Sequence, residues 1–349
     1  RGSSATYVAK DGLIKSAASD VPRIDFSDST NGALLLEPTR SNLITYSEDF
    51  SQWANQNAGT GSAPIITSNN TISPDGTQNA DKVVFNKGAG VSTSDLSVIA
   101  SSGFTSQTNT ASFYIKADSP QRIVIRNATN WQLVDVTTKW QRISKTDTGT
   151  GIQIGLRDGY GIANIPNTAT IYLWGAQAEQ GSYATSYIPS LSGSATTRLA
   201  DVCNNSGSAQ DFNSEEGVLY FEGSALADSG VTRSMSIFQN GGNFIKFQYY
   251  SISNRVDFVA FSSGALSCNI TKVITNTTDN NKFALKWKLN DFALWVNGVE
   301  VGTDTSGNTP IGMDKISFTN EGGSSGNFFG KIKDLQVFTE AKSDEFLAA

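Results

Sequence analysis

The sequence predicts an all-β protein: two antiparallel β-sandwich (jelly-roll) domains in tandem. Three observations lead there. Gly, Ser, Thr and Asn are abundant, only 17% of residues are charged and 10% are aromatic. Helical bundles draw instead on straight-chain residues that lose little rotamer freedom on a helix. Short runs with a two-residue apolar period recur between turn signals, the pattern of half-buried strands. Finally, 349 residues exceed the usual single domain, and a Ser/Thr/Gly/Asn-rich stretch interrupts the pattern after residue 190.

Taken in order, residues 1–33 are expected to form a peripheral lead-in segment of strand and loop, with "YVAKDGLIKSAASDVPRIDF" alternating weakly. The opening "RGSS" reads as a tag remnant or a cut inside a longer protein. Residues 34–202 form the first expected jelly roll. "ALLLEP" and "NLITYSEDF" open it, and "NADKVVF" follows the turn "SPDG". In "TASFYIKADS", Ala111, Phe113 and Ile115 point inward while Ser112, Tyr114 and Lys116 point outward. "RIVIRN" places Ile123 and Ile125 inward and Arg122, Val124 and Arg126 outward; "GIQIGL" places Ile152, Ile154 and Leu156 inward and Gln153 outward. "TIYLWGAQAE" closes the set, and "GSYATSYIPS" reads as a clasp in which Tyr183, Tyr187 and Ile188 dock the exit segment before Pro189 ends pairing.

Residues 203–214 are expected to be a linker, and 215–349 a second sandwich running from "EGVLYFEGSA" to "KIKDLQVF". Within it, "VNGVEV" is a hairpin signal, because Asn-Gly readily takes the positive φ angles of a type I′ turn. The ending "TEAKSDEFLAA" suits a short helix capped by Ser343, with Asp344 and Glu345 in its first turn.

Histidine is absent, so Ser-His-Asp and Cys-His nucleophilic sites and imidazole metal sites are excluded. Acid–base chemistry is left to carboxylates, Tyr, Lys or Cys. The net charge is −6, with no Lys/Arg cluster, which argues against nucleic acid. No run of 18 apolar residues exists to insert in a membrane, and the N-terminus lacks a signal-peptide core. Cys203 and Cys268 are either two free thiols or one bridge.

Adjacent acids such as Glu215–Glu216 and Glu48–Asp49 face opposite ways on a strand and cannot flank one bond, whereas a glycosidase sets two carboxylates across a cleft. "SPDGTQNADK" (Asp75, Asn79, Asp81) and "VGTDTSGN" (Asp304, Asn308) offer oxygen ligands without the order of a calcium EF loop, so both read first as tight turns. No cofactor is expected, and structural calcium stays open. Sugar recognition needs only exposed rings, planar amides and Arg. Trp131, in polar surroundings, is the best candidate ring, set against a plug for the sandwich end. Tyr114, Lys116, Arg126, Gln153 and Arg157 share the outward parity of their strands and form either a polar platform or a solvated sheet face. Trp53, Trp140, Trp174, Trp287 and Trp295 fall in patterned strands and read as core.

"GALLLEPTRSNLITYSEDFSQW", "SPDGTQNADKV", "TTKWQRIS", "YLWGAQAEQGSYATSYIPS" and "TTRLADV" together resemble a module found repeatedly in bacteriophage tail, fibre and other virion proteins. That module is similar to carbohydrate-binding modules of families 4 and 9, and the likeness spans roughly residues 5–202. The Asp that often binds calcium in the last strand of those modules has no counterpart before Glu179. "KFALKWKLNDFALWVNGVEVGTDTS" with "GKIKDLQVFTEAKSDEF" is similar to the end of concanavalin-A-like, laminin-G or pentraxin-type lectin sandwiches.

The resemblances imply a non-enzymatic phage tail-fibre or decoration protein, acting outside the cell as part of the virion. Its partners would be cell-surface or capsular polysaccharide, other virion proteins and copies of itself, with a trimer expected from the family. Two alternatives are a structural virion adaptor without sugar binding and a polysaccharide depolymerase.

Overall fold

The computed structural model describes residues 1–127, 130–162, 164–323 and 325–348. Among them the regular structure is strand, apart from one 3-10 turn at Phe50–Gln52 and helix α1 at Asp344–Leu347. The sheets are antiparallel throughout, as expected. Two compact units form, but they do not follow the expected boundaries. The first comprises Gly2–Val21 and Thr39–Leu199; the second comprises Arg1, Pro22–Pro38 and the chain from Ala200 on.

The chain starts with β1 (Ala5–Val8) and β2 (Ile14–Ala17), a hairpin of the first unit. Next, β3 (Ile24–Asp25) and β4 (Ala33–Leu36) join the second unit. The first unit resumes with β5 (Arg40–Asn42), β6 (Ala54–Ala58), β7 (Ser62–Thr71), β8 (Ala80–Asn86) and β9 (Leu96–Lys116). It ends with β10 (Gln121–Asn127), β11 (Asn130–Val136), β12 (Gln141–Arg157), β13 (Thr168–Gln180) and β14 (Thr196–Arg198).

Its main sheet has the order β11-β10-β12-β9-β13-β8-β7, with β6 also paired to β9. The strands β9 and β12 pair along nearly their whole lengths, with a register break between Gly149 and Gly151. Past the break, Gly151–Arg157 of β12 lies between β10 and the start of β9, while Gln141–Gly149 pairs with the end of β9, which goes on to β13. Two layers result from one sheet, and Ile99, Ile123, Ile125, Ile152 and Ile154 from one share a core with Val83, Phe113, Ile115 and Leu173 from the other. The inward parities read from the sequence therefore hold.

The outer side of the β13 layer is covered. Trp174 and Tyr187 pack at a tilt of 54° with centroids 4.6 Å apart, and Ile14 of β2 and Ala80 complete the cluster. The Tyr187 hydroxyl bonds Ser47 Oγ (2.7 Å) and Glu48 Oε1 (2.8 Å), and its carbonyl accepts from Thr6. Residues 183–190 are thus a clasp held by buried polar bonds as well as by Ile188, while Tyr183 lies over Arg40. Glu179, fully buried, accepts from the Thr185 amide (2.8 Å) and Gln177 Nε2 (2.6 Å), which ties the clasp to β13.

The second unit adds β15 (Glu216–Ala225), β16 (Arg233–Asn240), β17 (Asn243–Tyr249), β18 (Arg255–Ser262) and β19 (Ala265–Val273). Then come β20 (Asn281–Lys288), β21 (Phe292–Val296), β22 (Val299–Asp304), β23 (Lys315–Ser317) and β24 (Gly330–Phe338). Sheets β22-β21-β20-β15-β24-β4-β3 and β19-β18-β17-β16-β23 enclose a core rich in phenylalanine, including Phe221, Phe247 and Phe283. Asn297 (φ 50°) and Gly298 (φ 76°) form the expected hairpin turn, and Ser343 Oγ caps α1.

Four expectations need correction. "ALLL" of residues 33–36 does not open the first jelly roll: as β4 it pairs with β24, and Leu36 enters the second core. Alternation shows that a strand has one apolar face, not which sheet it joins. Residues 203–214 are not a free linker either, since Ser206 bridges to Ile316 and Phe212 is buried in the same core. The lead-in segment is itself divided between units; in the second, Arg23 is buried against Glu37 (2.7 Å) and Asp201. Trp140, finally, is not core: it stands half-exposed just before β12, its indole N–H donating to the Ile72 carbonyl (3.1 Å) and the Lys116 ammonium 5.1 Å from its ring centroid. The other four tryptophans read as core are buried.

Candidate functional site

The outer side of the β10–β12 layer gathers most of the candidate residues. Arg126 faces Trp131 on β11 and Gln153 on β12, so three outward positions fall in one row across three strands. Gln153 in turn faces Ala100, and Ala100 faces Ala54 of β6. Two residues on, Gly155 faces Val124 and Val98, and Arg157 stands at the next outward position of β12. The small residues Gly155, Ala100 and Ala54 keep this face low beside the large polar side chains. A Cβ at Gly155 would lie 2.3 Å from the Ser97 carbonyl oxygen, so glycine is required by the close approach of β9.

Guanidinium and aromatic groups interleave here. Arg126 lies 5.3 Å and Arg157 5.5 Å from the Trp131 ring centroid. Tyr160, on the turn after β12, is 58% exposed, and its ring is 5.0 Å from Arg157 and 6.5 Å from Trp131. Arg157 is held in place by donating to the Thr93 carbonyl (3.1 Å) and the Tyr160 hydroxyl (3.2 Å). Gln153 Nε2 donates to Gln56 Oε1 of β6 (2.8 Å). Two buried polar atoms in this group have no partner among the described residues: Trp131 Nε1 and Gln153 Oε1. Buried polar atoms usually are hydrogen-bonded, and leaving one unmade costs roughly 1–3 kcal/mol. Burial, and then the neighbouring Arg157 charge, lowers the Arg126 guanidinium pKa from its ordinary value.

Trp131, Arg126, Gln153 and Arg157 are thus brought together as a platform, and Tyr114 is not. It sits at the other end of β9, between Arg142 of β12 and Trp174 of β13, in the half-buried margin of the clasp cluster. Outward parity was read correctly, but β9 is 21 residues long and its two halves belong to different layers. Tyr160 and Gln56 join the platform without having been singled out. The "RDGYG" setting of Tyr160, an aromatic between glycines after a strand, is a signal that sequence offers; "ANQNA" around Gln56 offers none.

The carboxylates considered as oxygen ligands are engaged locally. Asp75 accepts from Ser73, Asn79 and both the amide and the hydroxyl of Thr77, and Asp304 accepts from Ser306. Asp81 holds the amides of Phe50 and Asn69 (both 2.9 Å). Among the described residues no three His, Cys, Asp or Glu side chains converge as a group that could hold a metal ion. Cys203 and Cys268 are both free thiols, and burial pushes Cys268 up to about 12. In the second unit, Tyr220, Trp295, Phe338 and Phe346 line an apolar groove of about 610 Å³ rimmed by Asn280, Lys282 and Gln336.

No protein-family model matches this sequence, and no curated protein matches it. Among solved structures it is similar to the CBM40 of the Ruminococcus gnavus IT-sialidase bound to α2,3-sialyllactose (16% identity, TM-score 0.35, 42% of this chain and 91% of that one). It is also similar to domains LG4–5 of the mouse laminin α1 chain (10% identity, TM-score 0.29, 70% and 88%). A CBM4 structure aligns at 20% identity and TM-score 0.24 over 38% of this chain and 97% of that one. Likenesses this distant carry no functional argument, and the platform has to be read from its own chemistry.

Proposed function

We propose that this chain is a non-enzymatic glycan-binding protein of a bacteriophage virion, in a tail fibre or decoration role. On this reading it acts outside the cell on host-surface or environmental polysaccharide. The observation that carries the binding part is the Trp131–Tyr160–Arg126–Arg157–Gln153–Gln56 platform, which combines rings, guanidinium forks and amides on one side of a sheet. Rings cover the C–H faces of a pyranose, and planar amides and guanidinium groups bond its hydroxyls; such a site needs no strong nucleophile or base.

Catalysis is disfavoured because the acids nearest to a cleft, Glu48, Asp49 and Asp81, are engaged in holding turns and the clasp. The phage setting rests on the recurring sequence motifs, as do the virion partners and a trimeric assembly, in which weak sites would gain by avidity. A glycan array probed with the whole chain and with Trp131→Ala tests the binding reading. Wild type should bind a restricted set of glycans that the variant loses. Absence of binding by the wild type, as oligomer and at high density, would refute it.

A further inference from the structure

Resting on that reading, we infer that the platform selects an anionic glycan: a sugar whose carboxylate or sulfate is gripped between Arg126 and Arg157. The arrangement of charge carries this. Three arginines stand on the outward side of β10 and of the Gly151–Arg157 half of β12. One of them, Arg122, is neutralised by the facing Asp135 of β11 at 2.8 Å. The other two approach the same Trp131 ring, and among the described residues neither has a carboxylate partner. Arg157 spends two donors on neutral oxygens, at Thr93 and Tyr160, while the Arg126 guanidinium makes no hydrogen bond among the described residues.

Two like charges are therefore held around one indole, on a chain whose net charge is −6 and in which Arg122 and Arg255 are each paired with an aspartate. Like charges at this range repel, the more so when partly desolvated. A neutral sugar leaves that repulsion in place, whereas an anion relieves it. The planar guanidinium fork also matches a carboxylate or sulfate in bidentate geometry, giving charge-assisted bonds roughly twice as strong as neutral ones. The rings of Trp131 and Tyr160 beside the forks suit the pyranose that carries the group.

The test uses the whole chain and a panel of immobilised glycans in matched pairs. Uronic- and sialic-acid glycans are paired with their carboxyl-reduced forms, and sulfated galactans with their desulfated forms. Wild type, Arg126→Gln, Arg157→Gln and Trp131→Ala are compared, and thermal unfolding shows that each variant is folded. Binding is expected for members with the anion and to fall about tenfold or more without it, the loss of one charge-assisted bond. Each Arg→Gln change should weaken binding by the same order, and raising salt from low to about 0.5 M should weaken the wild type. Preference for the carboxylated or the sulfated pairs identifies which anion is held. Equal binding of charged and neutral members, or Arg→Gln variants that bind as wild type does, overturns the anionic inference while leaving the proposed function standing. No binding to any glycan overturns both.

Discussion

Trp131 and Trp174 show how differently one residue type is used within the first unit. Trp174 is 1% exposed, packed at a tilt against Tyr187 and under the β1–β2 hairpin. Truncating it to alanine should cost about 3–5 kcal/mol, read from chemical denaturation. Trp131 only edges the core, so its removal should cost far less in stability while eliminating glycan binding. Tyr187→Phe strips hydroxyl bonds from Ser47 and Glu48 and should destabilise the first unit by about 1–3 kcal/mol in the same measurement.

The residue scale also predicts a pH response. Burial raises the carboxyl pKa of Glu48 and Glu179 above 4.5 and of Asp81 above 3.8. For an acid whose folded pKa is raised, the folded state binds the proton more tightly, so that contribution is present at low pH and lost as pH rises through the folded pKa. Asp75 has the opposite sign: although burial opposes it, bonds from Ser73 and Thr77 lower its pKa, and its contribution is lost only as pH falls below 3.8. The unfolding midpoint of the first unit should therefore rise as pH falls through the raised pKa values of Glu48, Glu179 and Asp81, and fall again below pH 3.8. Glu48→Gln should flatten the upper limb of that curve, and an unchanged limb contradicts the assignment.

At the scale of elements, strand existence and facing were legible and layer membership was not. The alternation in "TASFYIKADS", "RIVIRN" and "GIQIGL" gave the correct inward residues, because a one-residue slip would have put Phe113, Ile125 or Ile154 in water. Asn297–Gly298 was readable because its positive φ angles suit few residues. Gly298→Ala should lower stability by about 1 kcal/mol, and more where its Cβ comes 2.8 Å from the Ala348 carbonyl oxygen. What alternation does not encode is the register break at Gly149/Gly151, which sends the two ends of β12 to different layers. Tyr114 was grouped with Trp131 for that reason. Tyr160 and Gln56 reach the platform by long-range pairing and a turn, neither of which leaves a local period.

For the whole molecule, the sequence signalled two sandwiches and misplaced their limits. Local patterns cannot reveal that residues 22–38 supply β3 and β4 to a sheet otherwise built after residue 215. The consequence is measurable. A fragment starting at residue 215 leaves the β24 edge unpaired and removes Leu36 and Phe212 from the core. It should unfold at markedly lower temperature, or aggregate through that edge, compared with a circularly permuted unit running from residue 200 to the C-terminus and then through residues 22–38. Equal stability of the two would contradict the assignment of β4.

The central claim is that the outer face of β10–β12 is a glycan-binding platform centred on Trp131. Isothermal titration of the whole chain with the tightest glycan from the array tests it most directly, with Trp131→Ala and Trp140→Ala in parallel. The platform account predicts that Trp131→Ala abolishes the heat of binding while Trp140→Ala, on the half-exposed ring outside the platform, leaves the affinity unchanged. Retained affinity in Trp131→Ala would place the site elsewhere and contradict the account.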